Sequence, residues 1–369
     1  MFRSRPQVVL RLCATLAALL FAAPLVPTAE SAPAAEQKKG ASNGTTTRKA
    51  STKRTATKAR KASPKKRYSA SRSRARRARL ARARAAAYAR ELKELQTPRF
   101  KVTPTGERVP DLRAEAAIAY NPVTHEILWE SNANSPRSIA SITKVMTAIV
   151  FLEHAIDLDQ KVRIEPSDVR NASTTYLRAR DEVTTRDLLN LLLIGSDNAA
   201  ARALARVSPF GSEGFVDRMN RKAQELGLEH THYADPSGLL ETNVSSAYDM
   251  ARLISFAAGD DRIASIMRKS EETIRTDRRT VKVRNTNKLV GGDVDVRGGK
   301  TGFIRKAGYC LATLLQLPQG EPVAVVILGA RSNASRFWET RHLFNWLSER
   351  TRGLLTAEAT PVGAEAQPH

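Results

Sequence analysis

Three short strings in this chain carry groups able to do covalent chemistry: Ser141-Ile142-Thr143-Lys144, Ser196-Asp197-Asn198 and Lys300-Thr301-Gly302. Their first residues lie 55 and then 104 positions apart. A serine and a lysine three apart on a helix share one face. The hydroxyl needs a base beside it to become a nucleophile. A lysine amine serves as that base only where desolvation or a neighbouring cation lowers its pKa. Ser196 can relay a proton toward a leaving amine, and Asn198 can hydrogen-bond both Lys144 and a substrate backbone. Lys300 supplies positive charge that favours a neutral Lys144 and draws a carboxylate, to which Thr301 adds a hydroxyl. Gly302 lets an extended peptide lie along a strand edge. The backbone N–H groups of Ser141 and Phe303 are the natural pair for an oxyanion hole, where one donor is worth about 3 kcal/mol. The chemistry is acyl transfer through a serine ester, which requires no metal and no cofactor. Each string alone is weak evidence, because Ser-x-x-Lys is usually a helix turn with a solvated lysine.

The surrounding elements must bring these strings together. Ile142, Val145, Met146, Ile149 and Leu152 recur at helical spacing, which predicts a helix behind Ser141 with Ser138 as its N-cap. Ser196-Asp197-Asn198 falls between a helix over Thr184–Ile194, where Thr184 and Asp187 are spaced for capping, and another over Asn198–Ala205. Gly195 is expected to relieve the turn. Lys300 lies on a strand over Val296–Thr301. Further strands are expected over Ala116–Tyr120 and Glu126–Trp129, joined by a turn at Asn121-Pro122-Val123-Thr124, and over Thr280–Val283, Tyr309–Leu315 and Val323–Leu328. Helices are expected over Gly214–Leu226, Ala247–Phe256 and Phe337–Trp346. Strands at both ends with helices between predict an α/β sandwich, a mainly antiparallel sheet flanked by helices with an all-helical lobe inserted.

The formal charge of +23 over 369 residues suggests a nucleic-acid binder, but its distribution argues otherwise. Between Lys38 and Arg90 there are 20 Lys or Arg and no acid, so the chain from Glu91 onward is nearly neutral. Residues 1–34 read as a secretory signal: Arg3, Arg5 and Arg11, then the apolar run Leu12–Leu25, then small residues at Ala29-x-Ser31 and Ala32-x-Ala34. Residues 35–107 are expected to form a basic, largely disordered tail with an Ala/Arg-rich helix over about 76–95. The folded domain is expected over 108–350, and 351–369 as a disordered end. Behind an export signal no nucleic acid is expected. The basic segment 36–90 then either tethers the protein to an anionic wall polymer or membrane surface, or is a solvated spacer. Cys13 and Cys310 have no partner at metal-ligand spacing, and Cys310 reads as a small buried hydrophobe.

Taken in order, the three strings are the signature of the penicillin-recognising serine enzymes. The stretch from about Arg113 to Glu349 resembles the low-molecular-mass D-alanyl-D-alanine peptidases, through Ile139-Ala140-Ser141-Ile142-Thr143-Lys144, Asp235-Pro236-Ser237-Gly238-Leu239 and Gly299-Lys300-Thr301-Gly302-Phe303. Arg284-Asn285-Thr286-Asn287-Lys288-Leu289, and an end soon after the last helix, bring it closer to the endopeptidase branch. The resemblance implies a β-lactamase/transpeptidase-like fold, an exported periplasmic or wall-associated enzyme, peptidoglycan stem peptides or cross-links as substrate, and β-lactams as covalent inhibitors. The basic tail departs from the family pattern.

Two rival readings remain at this stage. A class A β-lactamase shares the motifs but needs a Glu-x-x-Leu-Asn string, and none lies between Asn198 and Lys300. A polyanion-binding protein with an idle domain is the non-enzymatic rival. Of the remaining candidates, His230 and His232 lack an evident third ligand for a metal. Trp129, Trp338 and Trp346 read as core or surface anchors rather than sugar platforms. Arg297, two positions before Gly299, is expected on its strand face, either near a substrate acid or as a simple surface charge.

Overall fold

The computed structural model describes residues 64–358. The expected signal and the first part of the basic tail lie outside these residues. Met1–Lys66 and Arg67–His369 are separate units, and the second contains everything discussed below except residues 64–66 at the start of the first helix. In chain order the elements are α1 (Pro64–Gln96), β1 (Phe100–Val102), β2 (Arg108–Pro110), β3 (Ala116–Tyr120), β4 (Ile127–Ser131) and β5 (Arg137–Ser138). A 3-10 turn over Ala140–Ile142 leads into α2 (Thr143–Phe151). There follow β6 (Lys161–Arg163), α3 (Pro166–Val169), β7 (Glu182–Thr184), α4 (Thr185–Leu193), α5 (Asn198–Val207) and α6 (Gly211–Glu225). The second half holds β8 (Val244–Ser245), α7 (Ala247–Ala258), α8 (Asp261–Met267), β9 (Glu271–Arg275) and β10 (Thr280–Arg284). It ends with β11 (Asp295–Ile304), β12 (Gly308–Gln316), β13 (Pro322–Ala330) and α9 (Asn333–Glu358).

The main sheet has five antiparallel strands in the order β11-β12-β13-β3-β4, which leaves β11 at an edge. Its central strands read as unbroken apolar runs because both faces are covered. Ala116, Ile118 and Tyr120 of β3 and Ala324, Val326 and Leu328 of β13 join one core with the helical lobe. The alternate residues Ala117, Ala119, Val323, Val325 and Ile327 pack on the other face with Phe337, Leu343, Phe344 and Leu347 of α9. The period-2 alternation of a strand thus divides one sheet between two cores. Chain order and sheet order agree with the expected α/β architecture. Cys310 is fully buried and free, as a small hydrophobe would be.

Several boundaries differ from expectation. The β1–β2 hairpin pairs Phe100 with Pro110, so regular structure of the domain starts at Phe100 rather than Arg108. Helix α1 begins at Pro64, not Arg76; proline at a first helical position loses no hydrogen bond. Helix α9 extends through Glu358, where a disordered end was expected. The short pairs β5–β8 and β6–β7 carry too few residues for a periodicity to register, and β9, Glu-Glu-Thr-Ile-Arg, offers a single apolar residue. Among the described residues no helix is long and apolar enough to cross a membrane.

Candidate active site

Ser141 sits in the 3-10 turn ahead of α2, not inside the helix, and Ser138 does not cap it. Ser138 belongs to β5, opposite Val244. The turn is sharp because Ala140 has a positive φ of 48°, unusual for alanine and a place where strain is stored. Two glycines make room for it. A Cβ on Gly302 of β11 would lie 2.7 Å from the Ile139 carbonyl oxygen and 3.2 Å from the Ser141 nitrogen. One on Gly238 would lie 2.1 Å from the Ala140 carbonyl oxygen. The turn bearing Ser141 is therefore clasped between β11 and the Asp235–Leu240 loop.

Lys144, on the first turn of α2, is fully buried. Its Nζ donates to Ser141 Oγ at 2.9 Å, to Asn198 Oδ1 at 2.6 Å and to the Ser237 carbonyl oxygen. Burial lowers its pKa to about 7; Asp235 and Asp197 pull against this, and Arg202 adds to it. Desolvation is thus the largest cause, Arg202 adds to it, and the positive charges of Lys144 and Lys300 repel each other. Lys300 is buried as well, with Nζ donating to Ser196 Oγ and to the Thr301 carbonyl oxygen, both at 2.9 Å. Burial, Lys144 and Arg336 hold its pKa well below that of an ordinary lysine.

The middle string divides its labour. Ser196 takes the positive φ, 59°, that the turn between α4 and α5 requires. Gly195 is needed for a different reason: a Cβ there would meet Val283 at 2.7 Å and Tyr176 at 2.9 Å. Asp197 caps α5 through the Ala200 N–H and also accepts from the Tyr176 N–H and the Thr175 hydroxyl. Asn198 Nδ2 donates to the Ala172 carbonyl at 2.6 Å while its Oδ1 accepts from Lys144. The buried Asn198 amide thus ties Lys144 to the 172–176 loop.

On β11, the Thr301 hydroxyl donates to Thr286 Oγ1 at 2.7 Å, so the two form one hydroxyl pair. Gly302 is buried, and the next residue, Phe303, is half exposed and stacked on Tyr309 with ring centroids 4.3 Å apart. Arg336 of α9, itself buried, donates to the Gly302 carbonyl at 2.9 Å. That carbonyl belongs to the same peptide unit as the Phe303 N–H. Arg297 does not join the site, because a bulge between Val296 and Gly298 breaks the alternation and Arg297 pairs with Asp295 at 3.1 Å.

Asp235, Ser237 and Thr286 lay in strings quoted for the family resemblance but were given no role, and Arg336 was not singled out. Asp235 accepts from the Ser237 N–H and hydroxyl, the Gly238 and Leu240 N–H groups and Asn243 Nδ2. Burial works against its charge, but these bonds hold its pKa below the usual carboxylate value. They fix the loop whose Ser237 carbonyl receives Lys144. The Asp-Pro-Ser-Gly string is a turn signal, consistent with this loop; nothing local marks Arg336. His230 and His232 belong to no metal-binding cluster: among the described residues no group of three His, Cys, Asp or Glu side chains is placed to hold an ion.

Comparisons with known proteins agree with this geometry. A family model described as D-alanyl-D-alanine carboxypeptidase matches residues 103–332. The chain is 32% identical over 262 residues to a D-alanyl-D-alanine endopeptidase of Escherichia coli, covering 70% of this chain and 82% of that protein. It is 34% identical over 231 residues to the D-alanyl-D-alanine carboxypeptidase DacF of Bacillus subtilis, covering 60% and 59%. Among solved structures, the Streptomyces K15 DD-transpeptidase superposes with a TM-score of 0.60 at 30% identity, covering 64% of this chain and 97% of that one. The chain therefore belongs to the D-alanyl-D-alanine carboxypeptidase family and is a serine-type D-alanyl-D-alanine peptidase.

Proposed function

We propose that Ser141, Lys144 and Ser196 cleave the peptide bond that follows a D-alanine in peptidoglycan stem peptides or their cross-links. Ser141 Oγ attacks the carbonyl carbon while Lys144 Nζ takes its proton. The developing oxyanion is held by the Ser141 and Phe303 N–H groups, a role that the Arg336 bond to Gly302 strengthens by polarising the same peptide unit. The C–N bond then breaks, and the proton passes through Ser196 to the leaving amine. Water hydrolyses the ester by the same groups in reverse. Lys300 and Thr301 receive the substrate carboxylate, and Gly302 leaves space for the substrate backbone beside the edge strand β11. Asn198 positions Lys144. No metal or cofactor enters the scheme.

The observation that carries this reading is the 2.9 Å contact from a fully buried Lys144 amine to Ser141 Oγ. Endopeptidases and carboxypeptidases both stand among the relatives, and the endopeptidase-like string Arg284–Leu289 favours cross-links between stem peptides as the substrate. Cross-linked muropeptides and pentapeptide monomers incubated with the purified protein should both report on this by product mass. Cleaved cross-links with intact pentapeptides are expected, and the reverse pattern would make the enzyme a carboxypeptidase. A β-lactam should acylate Ser141 and remain bound for minutes, seen as a mass adduct on its peptide. Rapid drug turnover would favour the β-lactamase reading instead.

The enzyme acts outside the cytoplasm, on wall material, if its leader directs export. Helix α1 presents Arg72, Arg74, Arg76, Arg77, Arg79, Arg82 and Arg84 to solvent, and residues 72–90 are exposed throughout. Such a rod would bind an anionic wall polymer or membrane surface through screened charge. Retention on isolated cell walls is expected to fall as salt is raised, and to be lost on deletion of residues 36–90 with peptide hydrolysis unchanged. Salt-independent retention would leave the segment as a spacer.

A further inference from the structure

A cleft of about 830 Å³ lies away from Ser141, between the β1–β2 hairpin, the end of α1 and the outer face of α9. Trp338 and Trp346 of α9 line it, eight residues and so ~12 Å apart along the helix. Both indoles are half-buried and steadied by guanidinium groups, Arg341 at 5.6 Å and Arg350 at 5.3 Å from the ring centroids. Three of the four arginines that line the cleft are already paired with acids that line it too: Arg99 with Asp111, Arg113 with Glu94 and Arg341 with Asp293. Charge is thus largely spent internally, which disfavours an ionic ligand. Glu339, nine-tenths buried at the cleft wall, accepts from the Ala114 N–H through one oxygen, and its other oxygen has no partner.

Indole faces, hydrogen-bonding groups such as the exposed Asn345, and neutralised charge together suit a neutral polyhydroxylated ligand. We propose that this cleft binds a saccharide, the glycan strand from which the stem peptide branches. Naming the glycan strand rests on the peptidase reading above; the saccharide chemistry rests on the cleft alone. Placement fits the pairing. Arg336, which bonds to Gly302 behind the active-site turn, lies two residues before Trp338 on the same helix, ~3 Å along its axis. Asp293, at the cleft, lies just before the edge strand β11. A glycan in the cleft would tether its peptide branch to the enzyme and so raise the branch's local concentration at that edge.

Calorimetric titration of the full-length protein with chitotetraose, a neutral N-acetylglucosamine oligomer that the basic tail cannot attract, tests this. Binding insensitive to salt is expected. Trp338→Ala and the surface variant Asn345→Arg should each weaken it by about tenfold or more, with penicillin acylation of Ser141 unchanged. No binding by the parent, or parental affinity in either folded variant, overturns the proposal. Failure of the parent to react with penicillin or to cleave stem peptides would instead remove the peptidase reading, and leave saccharide binding to be judged on its own titration.

Discussion

Lys144→Met should slow acylation of Ser141 by benzylpenicillin about a thousandfold, within the range that general-base catalysis contributes. Methionine is close to lysine in length and keeps the buried volume while removing the amine. The change strips three acceptors of their donor: Ser141 Oγ, Asn198 Oδ1 and the Ser237 carbonyl. A lower melting temperature is expected alongside the lost rate, because buried acceptors without partners cost about 1–3 kcal/mol each. The unmodified enzyme supplies a second, independent reading. Only neutral Lys144 can accept a proton, and its pKa is lowered to about 7. Acylation should therefore climb as pH rises through about 7, and fall about tenfold per pH unit on the acid side. A rate that is flat between pH 5 and pH 8 would mean that Lys144 is not the base. Burial of the amine, rather than repulsion by Lys300, is the larger cause of its lowered pKa. A neutral substitution of Lys300 should then leave the rising limb close to its original pH while weakening substrates that carry a carboxylate.

Gly238→Ala should be the most damaging single methyl in the protein. Its φ is +77°, and the added Cβ would stand 2.1 Å from the carbonyl oxygen of Ala140 and 3.0 Å from the nitrogen of Ser141. No rotation relieves contact between backbone atoms, so the loop or the Ser141 turn must move. That turn already holds Ala140 at φ 48°. Displacing a nucleophile by about 1 Å costs roughly a hundredfold, and a loss of that order in acylation is expected, with a melting temperature several degrees lower. Gly291→Ala is the matched control. It also has a positive φ, 75°, but its Cβ would meet nothing within 4 Å. It should cost about 1 kcal/mol of stability from backbone strain and none of the activity. Equal behaviour of the two variants would show that the clasp around Ser141 is unimportant.

Helices α2, α4, α5, α6 and α7 were legible because each carries its own evidence, whereas α3 and α8, of 4 and 7 residues, were not read from the sequence. Thr184 caps α4 through the Asp187 N–H as its spacing suggested, and apolar residues recur along α2 and α5. The central strands were legible for the same reason, since Ala116–Tyr120 and Val323–Leu328 are apolar enough to be buried on both faces. Ser141, Lys144, Ser196, Asn198 and Lys300 could be nominated from type and spacing, and hydrogen bonds now join them in two sets, Lys144 with Ser141 and Asn198, and Lys300 with Ser196. What residue order could not supply was the division of roles. Arg297 looked aligned with Gly299 until a bulge, set by contacts with β12, shifted it. Asn198 could be nominated from its string, but its bond to the Ala172 carbonyl, 26 residues away, could not.

Sequence by itself determined which groups this protein owns, because a side chain's chemistry travels with it and local periodicity needs only neighbours in the chain. The tertiary structure alone decided how those groups behave. Lys144 becomes a usable base through burial that segments more than fifty residues away provide, among them Asn198 and Ser237. Arg336 reaches Gly302 only because α9 folds back across the sheet. Desolvation and long-range contact are properties of a packed interior, and no window of consecutive residues contains them.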